Sequence, residues 1–300
     1  MAINIIPKYV FQSNKFFVAG KDGERQLLTI VDDMYPESPR EWYNVGTMVC
    51  FHNRHSLGDD HEFGDPEDFL QSMVRDYIPP KKLLKAIKDD KTNLTLSYNR
   101  SAREWELSGP CYWRTAIGFS QPKIEILDSC LTINCLYDCI IEELSFDSMR
   151  ELLEQYGEIA MLPLYLYDHS GITMSTGPFS CQWDSGQVGW IYVSKAKVFE
   201  EQLGWIAPEL RATGDPSILN DRKNWEFPNN KNWEKIAYHH LESEVGIYDD
   251  YLTGNVFGYK LFEVGKDDNE TCEIDSCYGY YGNEYEKNGI LSEFTVLEAI

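Results

Sequence analysis

The 300-residue chain has no apolar run near the roughly 20 residues that a membrane-crossing helix requires. Its first residues, MAINIIPKYVFQ, lack the basic stretch followed by an apolar core that marks a secretory signal, so the expected location is inside a cell. Cysteine is sparse: eight in a chain of this length cannot staple a small scaffold, and Cys130, Cys135 and Cys139 sit inside the apolar run LDSCLTINCLYDCII. Reduced thiols packed as small hydrophobes are expected. Positive charge is also scarce. Lys and Arg number 27 against 49 Asp and Glu, and the net charge of −22 opposes direct contact with nucleic acid or an anionic membrane.

Catalytic signatures are missing as well. No G-x-x-x-x-G-K-[ST] phosphate loop occurs, the glycines of DSGQVGW and LTGNVFGY do not precede helix starts, and there is no G-x-S-x-G elbow. No repeat of fixed period and no long low-complexity tract is present.

What the chain does contain is a large apolar and aromatic content, 43% and 14%, enough to bury a substantial core. FFVAG, RQLLTIV and WYNVGTMVCF read as strands between the turn clusters KDGE and YPESPR. DPEDFLQSMVRDYI places Phe69, Leu70, Met73, Val74 and Tyr77 at helical spacing behind a proline. PPKKLLKAIKDD suggests a second helix, and segments 94–98, 104–119 and 123–141 return to strand-like or apolar character. SFDSMRELLEQYG reads as a capped helix closed by Gly157. IAMLPLYLYDHSG and QVGWIYVSK are expected to be partner strands, with Ser194 capping the helix that follows.

Residues 205–232, dense in Pro, Asn and Asp, read as an irregular excursion. From Trp233 to Leu252 the set Trp233, Ile236, Ala237, Leu241, Val245, Tyr248 and Leu252 predicts one long amphipathic helix ending at Gly254. A strand, NVFGYKLFE, follows, and then an acidic, Tyr/Gly-rich tail from Gly265. The expected class is α+β, with mostly antiparallel sheets. The expected division is a β-rich domain over 1–145 and an α+β domain over 146–300.

The charge is uneven. Residues 241–300 hold fourteen acidic side chains and three lysines, so one fifth of the chain carries half the net charge, −11. A solvated face that keeps the protein soluble explains this simply; a phosphate-like surface that occupies a basic groove is the sharper explanation, and charge alone does not separate them.

Three residue groups suggest chemistry. His52, His55 and His61 cluster with Cys50, Asp59 and Asp60 in CFHNRHSLGDDHEF, and such a set holds a transition metal if the side chains converge. The spacing matches no strong zinc motif, and polar loop histidines are common. Cys272 and Cys277, with four residues between them, have no second cysteine pair and fall short of a zinc knuckle. Cys181 with His169 and Asp168 allows thiol catalysis, although local turn hydrogen bonds explain these residues equally well. No cofactor is expected from these patterns.

The runs PLYLYDHSGITMSTGPFSCQWDSGQVGWIYVSK, YDDYLTGNVFGYKLFE and DSCYGYYGNE, together with SPREWYNVGTMVCFHNRHSLGD, resemble a family of proteins carried by bacteriophages and other mobile elements. In length and acidity the chain resembles the phage inhibitors of the Gabija defence system. That resemblance implies a non-enzymatic protein in the cytoplasm of an infected bacterium. It would be a homo-oligomer that binds a host defence nuclease complex and keeps DNA from it. Expected contact residues come from exposed irregular segments: Trp225, Phe227, Tyr278, Tyr280 and Tyr281 as anchors, Asp267, Asp268 and Glu270 as flanking charges. The rival readings are a metal-dependent enzyme built on His52, His55 and His61, and a sponge for a nucleotide messenger.

Overall fold

The computed structural model describes residues 14–20, 23–109, 114–116, 134–169, 171–181, 183–201, 230–265 and 268–300. Helices and antiparallel strands both contribute heavily, so the chain is α+β. No helix among the described residues is long and apolar enough to cross a membrane. Two compact units are present, each discontinuous in sequence: unit 1 comprises 1–44, 164–187 and 242–300, and unit 2 comprises 45–163 and 188–241.

Unit 1 is organised by a five-stranded antiparallel sheet of β1 (Lys15–Ala19), β2 (Arg25–Asp32), β10 (Val256–Val264), β11 (Glu270–Tyr281) and β12 (Val296–Ala299), in the order β11-β10-β2-β1-β12. Alternation decides which side is buried. Phe16, Leu28 and Leu261 are cross-strand neighbours, and with Val18, Ile30 and Tyr259 they form one core beneath Ile290 and Leu291 of a short 3-10 turn. The opposite face carries Phe17 and Leu27 under a layer of charge; the Arg25 guanidinium lies 3.3 Å from the Phe17 ring centroid. Also in unit 1, the far part of β7 (Ile159–Asp168) pairs with β8 (Ile172–Ser175), Tyr165 facing Ser175.

Unit 2 is built on α1 (Pro66–Tyr77), α2 (Pro80–Lys88), α3 (Asn134–Glu142) and α4 (Phe146–Tyr156). Asp65 caps α1 by accepting from the amides of Glu67 and Asp68, both at 2.9 Å, and Pro66 supplies a first-turn residue that needs no donor. The predicted face, Phe69, Leu70, Met73 and Val74, is buried. Ser145 caps α4, whose Met149, Leu152 and Leu153 are buried in the same core as α1. β3 (Thr47–Cys50) runs antiparallel to β9 (Ser185–Ser194), and β9 has β7 on its other side. Phe69 stacks on Trp190 of β9 with ring centroids 5.4 Å apart. β4 (Thr95–Asn99), β5 (Glu104–Ser108) and β6 (Arg114–Ala116) form a separate three-stranded sheet.

Residues 134–142, within the run read as strand-like or apolar, are helical. Tyr137, Ile140, Ile141 and Leu144 recur at steps of three and four and pack into the core of unit 2, a period hidden by the continuous apolar character around it. Ser194 accepts from the Lys197 amide at 3.2 Å and opens helical residues 195–201 as expected. The long helix α5 (Trp233–Thr253) is present with Trp233, Ala237, Leu241, Val245 and Tyr248 buried, and Gly254 ends it with φ +75°. The excursion at 205–232 lies outside the described residues up to 229.

The sharpest difference concerns the tail. Residues 270–281 are not irregular but a twelve-residue strand at the edge of the unit 1 sheet. Its pairing with β10 carries three register shifts.

Candidate partner-binding surface

The histidine loop of unit 2 lines a cleft of about 370 Å3, but His52 and His61 each turn one ring nitrogen to the backbone, and His61 Nδ1 is buried without a hydrogen-bond partner. His52 Nδ1 accepts from the His55 amide at 3.2 Å, and the two rings stack 5.1 Å apart. His61 Nε2 is 2.9 Å from the Cys50 carbonyl oxygen, with its ring between Phe51 and Phe63. Asp59 Oδ2 accepts from the Met48 amide at 2.8 Å. These contacts shape a turn, and among the described residues no three His, Cys, Asp or Glu side chains converge as metal ligands.

The thiol group is also rearranged. Cys181 donates to Asp184 Oδ2 at 3.8 Å, and His169 Nδ1 lies 3.5 Å from that same oxygen. The thiol therefore meets a carboxylate rather than the imidazole that would take its proton, and the acid involved is Asp184, not Asp168.

Of the expected contact residues, Trp225, Phe227 and Asp267 lie outside the described residues. Asp268 and Glu270 are tied into the sheet: Arg25 reaches Asp268 at 3.3 Å, and Lys15 reaches Glu270 at 2.8 Å. The Lys15 contact and a hydrogen bond from Thr29 hold the Glu270 carboxyl below its ordinary range. Tyr280 packs against Tyr259 and donates to Glu293 at 2.6 Å, so it serves the core. Burial, then that hydrogen bond to Glu293, push its phenol up. Tyr278 alone of the three tyrosines is well exposed, at 46%.

Tyr281 does something the sequence did not disclose. Its hydroxyl donates to the Glu37 carbonyl oxygen, and its ring meets Trp42 edge-on, centroids 4.9 Å apart. It thereby clamps the loop 33–44, which is held a second time by Arg40, whose Nη1 lies 3.0 Å from Glu244 Oε2. The Arg40 side chain is buried, 4% exposed, and that of Glu244 largely so, at 15%. The loop is further ordered by Ser38, which caps a short 3-10 turn, and by Asn44 donating to the Pro39 and Trp42 carbonyls at 2.9 and 2.8 Å.

The clamped loop presents large apolar side chains to water: Met34 at 75% exposure, Tyr35 at 93%, Trp42 at 42% and Tyr43 at 79%. Trp42 and Tyr43 belong to the run WYNVGTMVCF that reads as a strand, but β3 begins only at Thr47. The run is ambiguous because aromatic residues suit a strand and an exposed anchor equally well.

The electrostatics of this surface are acidic. Burial, then the Asp33 and Glu37 carboxylates, push Tyr281 up to about 12. Burial and then neighbouring Asp249 raise Asp250, and the last turn of α5 carries no basic residue to offset the pair. Asp249 is held in place by Thr173 Oγ1 and the Met174 amide, both at 2.7 Å. Because Asp250 has a raised folded pKa, its contribution to stability is full below the ordinary carboxylate range and is lost as pH rises through the raised value. Asp250→Asn should therefore stabilise at neutral pH by roughly a few tenths of a kcal/mol, given water screening, and not at all at pH 3. Thermal melts at the two pH values check this.

Comparison with family models, with curated proteins and with solved structures returned no match.

Proposed function

We propose that this chain is a phage-encoded binding protein. Through the acidic, aromatic surface of unit 1 it docks on a basic, DNA-handling complex of bacterial defence, of the Gabija type, and covers the path of DNA. It does so in the host cytoplasm, as a homo-oligomer. The observation that carries the reading is the clamped loop 33–44: Met34, Tyr35, Trp42 and Tyr43 stand exposed on a segment held by two separate attachments. Large aromatic side chains on an ordered backbone offer contact area at low entropic cost. The carboxylates around them match a surface evolved to hold phosphates, speeding encounter and selecting the partner.

The test mixes the purified protein with purified Gabija-type complexes and follows co-elution, DNA cleavage and mass by light scattering. A stable complex that suppresses cleavage is expected. Replacing Met34 and Tyr35 together with alanine should weaken it about a hundredfold while leaving the melting temperature unchanged, since neither side chain is buried. No complex, or one indifferent to both substitutions, rejects the reading.

A further inference from the structure

The edge strand β11 plays no part in clamping the loop except at its last residue. Among the described residues it has β10 on one side and no strand on the other, and all residues from Glu270 to Gly279 are exposed. Natural edge strands are blunted by brevity, proline, charged side chains, lysine above all, or bulges. ETCEIDSCYGYY is twelve residues long with neither proline nor lysine, and its protection is limited to acidic side chains and to the register shifts against β10.

Several of its backbone groups are met by side chains of the strand itself. The Ser276 amide donates to Asp275 Oδ1 at 2.9 Å, and the thiols of Cys272 and Cys277 approach the carbonyl oxygens of Glu273 and Tyr278 at 3.7 and 3.8 Å. Thiols are weak donors, so these contacts are readily displaced by the amide of an incoming strand.

We infer that β11 is a docking edge for an extended, basic segment of a protein partner, which adds to the unit 1 sheet as a sixth strand. This rests on the reading of unit 1 as the partner-binding surface and names the form of the partner. Main-chain hydrogen bonds supply affinity in this mode, and alternate side chains supply selectivity.

Charge chooses the occupant. Asp275 and Glu293 flank the strand with tyrosine hydroxyls as their hydrogen-bond partners, from Tyr259 at 3.3 Å and Tyr280 at 2.6 Å. After burial, both carboxylates contribute to raising Tyr259 to about 12, which reports a negative field there. A second copy paired antiparallel about Ile274 would set Glu273, already held by Lys260 at 3.2 Å, against Asp275, and like charges placed opposite each other destabilise a ladder in that register. Alternating Lys or Arg on an extended partner instead meets these carboxylates.

The experiment uses the full chain and a labelled decapeptide of alternating Lys and Thr. Fluorescence anisotropy should show binding that weakens with salt, and hydrogen exchange should show new protection confined to 270–279. Ser276→Pro removes the amide that donates to Asp275 Oδ1, and should weaken binding about tenfold, the loss of one good backbone hydrogen bond. If that variant fails to fold, Asp275→Lys serves as the second variant and should also weaken binding. Binding without protection of β11, equal binding of a Glu/Thr peptide, or protection of the same amides in the protein alone, as monomer or dimer, overturns the inference. No defence complex enters the assay, so its failure leaves the inhibition test standing, and the reverse.

Discussion

Replacing Arg40 with alanine is expected to destabilise unit 1 by about 3–5 kcal/mol, because a largely buried carboxylate then loses its charged partner. That group is Glu244, 3.0 Å from Arg40 Nη1 and only 15% exposed. The coulombic attraction itself is not the main quantity at stake. Desolvation of both ions consumes most of it, so the pair contributes specificity of placement more than net stability. That distinction is measurable. Arg40→Met combined with Glu244→Leu should recover most of the loss in urea unfolding, since neither charge is then buried. Partner binding should not recover with it, because the loop 33–44 loses the contact that fixes its orientation. Arg40→Ala with a loss below about 1 kcal/mol would place the pair among ordinary surface bridges and remove this attachment from the account of the loop.

Gly189→Ala should be more damaging still. A Cβ at this position would lie 1.9 Å from the Val49 carbonyl oxygen and 2.9 Å from Cys50 Cα. Both atoms are backbone, so no side chain can rotate out of the way, and β3 must part from β9 where Cys50 pairs with Gly189. A loss beyond about 4 kcal/mol, or failure to accumulate as soluble protein, is expected, in the class of substitutions with a strained backbone. Gly246→Ala is the control. It sits on α5 with nothing within 4 Å of the added carbon, and should stabilise by about 0.5–1 kcal/mol through helix propensity. Equal behaviour of the two variants in thermal melts would contradict the close approach of β3 to β9.

The tyrosines at the end of β11 show why residue type alone ranks contact residues poorly. Tyr278, Tyr280 and Tyr281 are near neighbours in one strand, yet the first faces water, the second joins the core beside Tyr259, and the third clamps a loop distant in sequence. The register shift between Phe257 and Gly258 interrupts the two-residue alternation that would otherwise have assigned their faces. The acidic residues behave alike: Asp268 and Glu270 look like free charges in the tail, but Arg25 and Lys15 reach them from the other end of the chain.

What the chain determines locally was readable from residue order: the α1 face behind Asp65 and Pro66, the Ser145 and Ser194 caps, the span of α5 and its end at Gly254. Period, capping chemistry and the conformational freedom of glycine act over a few residues, so a linear string contains them. The α+β class follows from the same signals. Tertiary structure alone decided the interleaving of the two units, whose crossings at 44/45, 163/164, 187/188 and 241/242 leave no mark in composition and do not include residue 145. It also decided that His52 and His61 each turn a ring nitrogen to the backbone, that Tyr281 and Arg40 hold the loop 33–44, and that β11 is an edge. Each depends on contacts between residues far apart in sequence, where the energy of a contact belongs to the pair and neither partner's neighbours announce it.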